Sequence, residues 1–345
     1  MKYFKSLAGM AVFISVAALL CLSACQGCGG RNTPGNNDTI TDSLSEIDKI
    51  SLEIRQNPRQ HGLFFKRAGM YYNQGLLNEA VNDIEIALRL DSLNPIYLIT
   101  ASDYYLMLGK SEQTKQALDK CLAAYPQNTE ARFKLAQLYF YVKEYDKAIA
   151  EVALIEKAGK QSDKTYYLKA LVFSENNMFN AAVESLRKTI EFNPQHSEAY
   201  NMLGMMYYEA NNKLAVEYFN TAVKLFPQNT MILLNAGLCY EKFGMTDQTR
   251  TMYERALQVD SISYQPNFNM GYYLLMYTDD FKAAARRFSK AIDASPKSAE
   301  AYYNRGLAWE SAGDLKKAAD DFRKAMEIVP NYELAIKGLN RLDTK

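Results

Sequence analysis

An all-α array of stacked helix pairs is the fold this sequence predicts, and three observations carry the prediction. Between about residues 61 and 332 the chain repeats itself at a period of about 34 residues. Beyond Pro34, every proline stands at or within a few residues of one phase of that period. Inside each period the apolar residues recur at the three- and four-residue spacing of one helix face. The composition, 48% hydrophobic and 23% charged, is that of an ordinary globular chain. A length of 345 residues would allow two domains, but the unbroken period favours one array.

The clearest copy is residues 298–332. Tyr302, Gly306 and Trp309 share one helix face. Gly313 offers a left-handed stop, and Asp314 can cap the helix that follows. Leu315, Ala318, Phe322 and Ala325 form the buried stripe of that second helix, and Pro330 ends it. The small residues Gly306, Ala318 and Ala325 let the two helices approach, while Trp309 and Phe322 fill the space beside them. Such a pair cannot bury its apolar face alone and must stack on neighbours.

The pattern resembles the tetratricopeptide repeat, a 34-residue helix-turn-helix unit. Tyr302, Gly306, Trp309, Ala318, Phe322 and Pro330 stand at that family's spacings, and Arg305 departs from it, where leucine is preferred. The resemblance implies a right-handed superhelical solenoid of about eight units. It also implies a concave groove, lined by the first helices, that binds peptides or proteins.

Taken in order, the chain opens with Lys2 and Lys5 before an apolar run from about Leu7 to Leu22. That run is short of the roughly 20 residues a membrane span needs. It ends in Leu22-Ser23-Ala24-Cys25, which resembles the bacterial lipobox, where a peptidase cuts before a cysteine that carries lipid such as palmitate. Ala24 suits a narrow cleavage pocket, whereas Cys21 follows the bulky Leu20. Residues 1–24 are therefore read as a lipoprotein signal peptide outside the fold. Residues 25–42 read as a flexible tether rich in Gly, Asn, Thr and Pro after a lipidated Cys25, with a reach of roughly 50 Å. Within and after it, Asp38-Thr39-Ile40 and Asp42-Ser43-Leu44 look like a short periplasmic O-glycosylation motif. Residues 43–57 carry Leu44, Ile47, Ile50 and Ile54 at helical spacing and are expected to form a leading helix over the first repeat.

Eight repeats fill residues 61–332, starting near His61, Pro95, Thr129, Asp163, Ser197, Thr230, Tyr264 and Ala299. The residue matching Gly306 is Ala68, Ser102, Ala136, Ala170, Gly204, Gly237 and Gly271 in turn. Pro58, Pro126 and Pro194 are 68 residues apart, and Pro296 and Pro330 are 34 apart. Prolines held to one phase mark helix boundaries, since an interior proline costs about 3 kcal/mol. Repeat five lacks a residue near Asn211-Asn212, and repeat seven gains one between Gly271 and Ala284. Repeat three has Lys143 at the turn and Lys160 where proline is usual. Residues 333–345, with Leu334, Leu339 and Leu342 on one side, are expected to cap the exposed end.

Chemistry finds little foothold. His61 and His196 both lie at repeat junctions, without metal-ligand spacing. Carboxylates such as Asp320-Asp321 and Asp279-Asp280 fall on solvated faces or turns, and there is no phosphate loop or nucleophile elbow. No enzyme, cofactor or metal is expected. Cys121 and Cys239 take small buried positions, and no spacing indicates a disulfide framework. The formal charge is +1, or −1 without Lys2 and Lys5, so no global field draws nucleic acid.

The groove positions implied by the resemblance are more informative. Just after the small residue stand Leu171, Met205, Leu238, Tyr272 and Leu307 in repeats four to eight, where the family often has a polar residue. Three residues before it stand Phe268 and Tyr303, and two before it Asn235, Asn269 and Asn304. Some family members use asparagines there to hold a peptide backbone. The expectation is an apolar strip rimmed by asparagines on a non-catalytic scaffold for a protein or peptide partner. The alternative is a glycan or small ligand in the same groove, which an open groove encloses poorly. The signal places the protein in the bacterial envelope; by analogy with enteric sorting, Gln26 after the cysteine points to the outer membrane, facing the periplasm. Replacing Cys25 with Ala is expected to release the protein from membrane fractions, because several acyl chains anchor stably where one is marginal. Retention of the variant through an alkaline wash would show that the anchor lies elsewhere.

Overall fold

The computed structural model describes residues 45–342. The signal segment, Cys21, Cys25, the tether, the Asp38-Thr39-Ile40 and Asp42-Ser43-Leu44 sequences and the first two residues of the leading segment lie outside the described residues. The described chain divides into two units, with the boundary between Pro58 and Arg59. In the first, helix α1 spans Glu46–Gln56. Ser45 Oγ accepts from the Asp48 N–H at 3.2 Å, and Glu46 and Asp48 sit where the helix dipole favours acids.

The second body is an all-α solenoid, with no strand among the described residues. Its helix pairs are α2 (His61–Asn73) with α3 (Leu77–Leu90), α4 (Pro95–Met107) with α5 (Ser111–Ala124), α6 (Thr129–Tyr141) with α7 (Tyr145–Lys157), and α8 (Asp163–Glu175) with α9 (Phe179–Phe192). The stack continues with α10 (Ser197–Glu209) and α11 (Leu214–Leu225), α12 (Thr230–Lys242) and α13 (Thr246–Val259), α14 (Tyr264–Tyr277) and α15 (Phe281–Ala294), then α16 (Ala299–Ser311) and α17 (Leu315–Ile328). Helix α18 (Glu333–Leu342) closes it.

Local chemistry sets these boundaries. Asn94, Asn128, Ser162, Asn229 and Ser298 cap the N-termini of first helices with their side chains. In the last repeat Gly313 takes a φ of +83°, and Asp314 Oδ1 accepts from the Lys317 N–H at 3.2 Å. Repeat seven has no left-handed residue at its turn. There α14 runs 14 residues instead of 13, and Thr278 Oγ1 closes its end on the Leu274 carbonyl at 2.7 Å. Repeat five makes its shorter connection by entering α11 through i to i+3 hydrogen bonds, Ala215 to Asn212 and Val216 to Lys213.

One contact recurs inside every pair. The small residue of the first helix faces the central side chain of the second. In repeats one to four, Ala68, Ser102, Ala136 and Ala170 stand in register with Ile84, Leu118, Val152 and Leu186, which are at 0% exposure. In repeats five to eight the first partner is Gly204, Gly237, Gly271 or Gly306, and the second is Phe219, Tyr253, Phe288 or Phe322. A methyl group on Gly237 would stand 2.3 Å from the Tyr253 ring, and one on Gly306 2.6 Å from Phe322. The ring needs the space that the missing Cβ leaves.

A second recurring contact joins repeats. A first-helix tyrosine reaches back to the preceding second helix, with Tyr105 donating to Glu85 at 2.9 Å and Tyr240 to Asn220 at 2.7 Å. Tyr207 accepts from Arg187 at 3.4 Å in the same register. Repeats four to seven share one continuous core, from Ala170 through Leu203, Phe219 and Tyr253 to Tyr273. Cys121 and Cys239 are fully buried, and burial pushes the Cys239 thiol up to about 11. At the far end Ala335 is buried, Gly338 lies against the other side of Phe322, and Arg341 grips Glu310 at 2.8 and 2.6 Å.

Repeat three departs from the pattern at its turn. Lys143 adopts a φ of +62°, which costs a non-glycine residue about 1–2 kcal/mol. Its buried residues are split between two clusters, Ala131, Leu135 and Leu138 with repeat two and Ala136 and Val152 with Leu168 of repeat four. Amides of α6 and α7 are therefore expected to exchange before those of α11 to α13 in native-state hydrogen exchange, and uniform protection along the array would contradict this. The size match is tested by Gly237→Ala, which is expected to destabilise by about 2 kcal/mol through overpacking. Adding Tyr253→Leu should recover part of that loss, with a coupling of about 1 kcal/mol in a double-mutant cycle. Strict additivity would show that the ring and the glycine do not share the space.

Candidate partner-binding face

On an α-helix each residue turns about 100° from the last. If the small residue marks the side facing the second helix, the next residue lies about 100° away and the residue two earlier about 160° away. That sector of each first helix is free of the intra-pair contact. Leu171, Met205, Leu238 and Leu307 lie there half-buried, and Tyr272 is 37% exposed. Met205 packs against the core of repeats four to seven and Leu307 against that of repeat eight, so these two are partly core.

The structure adds residues that the sequence reading passed over. Ile96 is 59% exposed, Met107 48%, Tyr141 39%, Met231 54% and Met276 55%. All five fall about 120–140° from the small residue of their own helix, in the same sector as Tyr272. Only Tyr277 among the exposed large apolar residues of the described first helices falls outside it. The signal was legible, since these residues stand six before or five after the small residue of their own helix. Helix α14, which contributes Tyr272 and Met276, carries no charged residue over its 14 positions.

The asparagine rim requires correction. Asn304 is buried, and its amide donates to the Glu300 carbonyl of its own helix at 2.8 Å. Asn269 is buried, accepts from Gln265 at 3.2 Å, and has an enclosed Nδ2. Asn235, half-buried, donates to Asn201 on the preceding first helix at 2.8 Å. These amides are spent on or sealed within the array and do not form a free rank of donors. Phe268 and Tyr303 are likewise half-buried, packed on Phe288 at 5.5 Å and Phe322 at 5.8 Å, so they brace the pairs from within.

Outside α14 this face also carries charge: Glu130, Lys164, Glu198 and Glu300 stand exposed six residues before the small residue, and Glu175, Glu209 and Lys242 five after it. Lys134 pairs with Asp103 across adjacent first helices at 2.6 Å. A hydrogen bond from His196 holds the Glu198 carboxyl down to about 2, and burial pushes Tyr167 up to about 12. His61 lies 2.8 Å from the Tyr97 hydroxyl. The two most evident depressions, of about 420 and 270 Å³, are lined largely by second-helix residues and lie off the apolar sector.

Arg305, the departure noted in the sequence, has a structural role. It makes a bidentate pair with the buried Asp321 at 2.8 and 2.7 Å. Repeat one repeats the device with Arg67 and Asp83 at 2.6 and 2.8 Å. Both pairs span 16 residues, from the position before the small residue to the position before its partner. The hydrogen bonds to the aspartates raise both guanidinium pKa values.

Profiles described as tetratricopeptide repeat match residues 105–172, 163–196, 197–229, 232–260 and 273–333. Among curated proteins, anaphase-promoting complex subunit 3 of Schizosaccharomyces pombe is 25% identical over 51% of this chain and 27% of its own length. The TPR repeat-containing protein YpiA of Bacillus subtilis is 24% identical over 43% of this chain and 33% of its own. The chain thus spans about a third or less of these two relatives. Among solved structures, the C-terminal part of a TPR repeat-containing protein from Cytophaga hutchinsonii superposes with a TM-score of 0.58 at 15% identity, over 70% of this chain and 99% of that one. The pilF protein of Pseudomonas aeruginosa gives 0.52 at 16% identity, over 62% and 97%.

Proposed function

Because the chain belongs to the tetratricopeptide repeat family, we propose that it is a non-catalytic scaffold that holds a polypeptide partner against its first helices. The observation that carries this reading is the apolar sector. Six large apolar side chains from four repeats, Ile96, Met107, Tyr141, Met231, Tyr272 and Met276, are exposed on one side of their helices. They fall in two groups, in repeats two and three and in repeats six and seven, with Lys164, Glu175, Glu198 and Glu209 at the equivalent positions between them. Exposed apolar side chains clustered on one face are a mark of interaction sites. Methionine and tyrosine are also the residues enriched at protein interfaces.

The scaffold is placed in the bacterial envelope by the lipobox-like Leu22-Ser23-Ala24-Cys25, with lipid on Cys25 and the array facing the periplasm from the outer membrane. Among the described residues no helix is long and apolar enough to cross a membrane. The partner lies along the sector, its apolar side chains supplying affinity.

Leu238→Asp with Tyr272→Asp tests the face. The pair is expected to abolish capture of partner from detergent-solubilised envelope while circular dichroism and melting stay those of the wild type. If the array unfolds instead, a cost of about 2 kcal/mol or more per buried carboxylate identifies these residues as core.

A further inference from the structure

The second helices carry most of the array's surface charge, and they balance it. Lys115 pairs with Asp119, Lys147 with Glu144, Lys188 with Glu184 and Arg250 with Glu254. In repeat eight, Lys317, Arg323 and Lys324 pair with Asp314, Asp320 and Glu327. Helix α15 is the exception. It bears Lys282, Arg286, Arg287 and Lys290 against one acid, Asp293, near its end. Arg287 is half-buried and donates to Asn267. Lys282, Arg286 and Lys290 are exposed, and no carboxylate reaches any of them within ion-pair distance. Asp279 and Asp280 precede the helix, where Asp280 is spent capping the Ala283 N–H.

The three cations stand at i, i+4 and i+8, so they form one straight stripe of about 12 Å along the helix. Like charges at that spacing repel and destabilise a helix. Glu254 lines the same depression as Lys290, and Asp280 and Asp293 stand at the helix ends, without forming an ion pair with any of the three. On each of the other described second helices at most one cation lacks both a carboxylate and a hydrogen-bonding partner.

We propose that the outer face of repeat seven is a docking surface for an acidic segment of a partner polypeptide, whose carboxylates match the Lys282–Arg286–Lys290 stripe. The surface is separate from the apolar sector. The stripe's regular spacing fits carboxylates set along a helix or strand, with Arg286 able to grip one bidentately. A membrane surface fits it less well. On α15 Ala284, Ala285, Phe288, Ala291 and Ile292 are buried and Phe281 is half-buried, leaving no large exposed apolar side chain on that helix to enter lipid. A stripe of three charges on a chain of formal charge +1 is also short for a nucleic-acid track.

The test uses the full chain and a fluorescent helical peptide with glutamate at every fourth position. Its controls are the same peptide with glutamine there, phosphatidylserine vesicles, and a single-stranded oligonucleotide. Wild type is expected to bind the glutamate peptide, more weakly as salt rises, and to bind the glutamine peptide at least tenfold more weakly. Lys282→Gln with Arg286→Gln and Lys290→Gln should lose at least tenfold in affinity while keeping the wild-type circular dichroism and melting, since the three side chains are exposed. The proposal is overturned if the wild type does not bind the glutamate peptide, if the triple variant binds it within twofold of wild type, or if vesicles or oligonucleotide bind the stripe more tightly than the peptide does. Leu238→Asp with Tyr272→Asp should leave this binding intact, so failure here is distinguishable from failure of the apolar face.

Discussion

Everything in the array depends on how closely the two helices of a pair approach. The distance is set where one small residue meets one large one, and the eight repeats solve the packing in two ways. Where the first helix offers alanine or serine, the second answers with an aliphatic residue. Where the first offers glycine, the second answers with an aromatic ring. Interiors pack at near-crystalline density, so neither half can change alone without a clash or a void. The change from one solution to the other falls between repeats four and five, and the repeats on either side of it share one core.

With that distance fixed, the rest of the first helix is committed. Residues beside the small one fill the seam with neighbouring repeats, and one sector is left for something else. Chains of this kind gain stability from nearest-neighbour contacts, and at the far end α18 supplies the neighbour that repeat eight would otherwise lack. Repeats one and eight carry the same buried Arg–Asp pair, Arg67 with Asp83 and Arg305 with Asp321. Such a pair contributes little net stability over an apolar match, yet a bidentate geometry fixes the orientation of one helix on the other. The departure from family preference at Arg305 is thus one half of a matched pair.

The two surfaces differ in character. Helix α14 exposes uncharged, soft side chains, while the second helix of the same repeat concentrates positive charge without ion-pair partners. Repeat seven is also the one with the lengthened first helix and no left-handed turn residue. Its departures from the repeat pattern coincide with the places where it presents unusual surface.

The sequence by itself determined the class of fold, the period and the helix boundaries. Helical spacing, turn glycines and phase-locked prolines act locally, within a few residues, and can be read without knowing what packs on what. The small residues and the buried positions of Cys121 and Cys239 were legible for the same reason. Only the tertiary structure decided which face positions are free. Asn269 and Asn304 looked like groove donors because they share a register, but their amides are closed off within the array. Met231 and Met276 looked like ordinary helix residues, yet each is more than half exposed. Helical periodicity gives the direction in which a side chain leaves its own helix. Whether it then meets solvent or another repeat depends on how successive pairs stack, and that is a property of contacts some 34 residues apart.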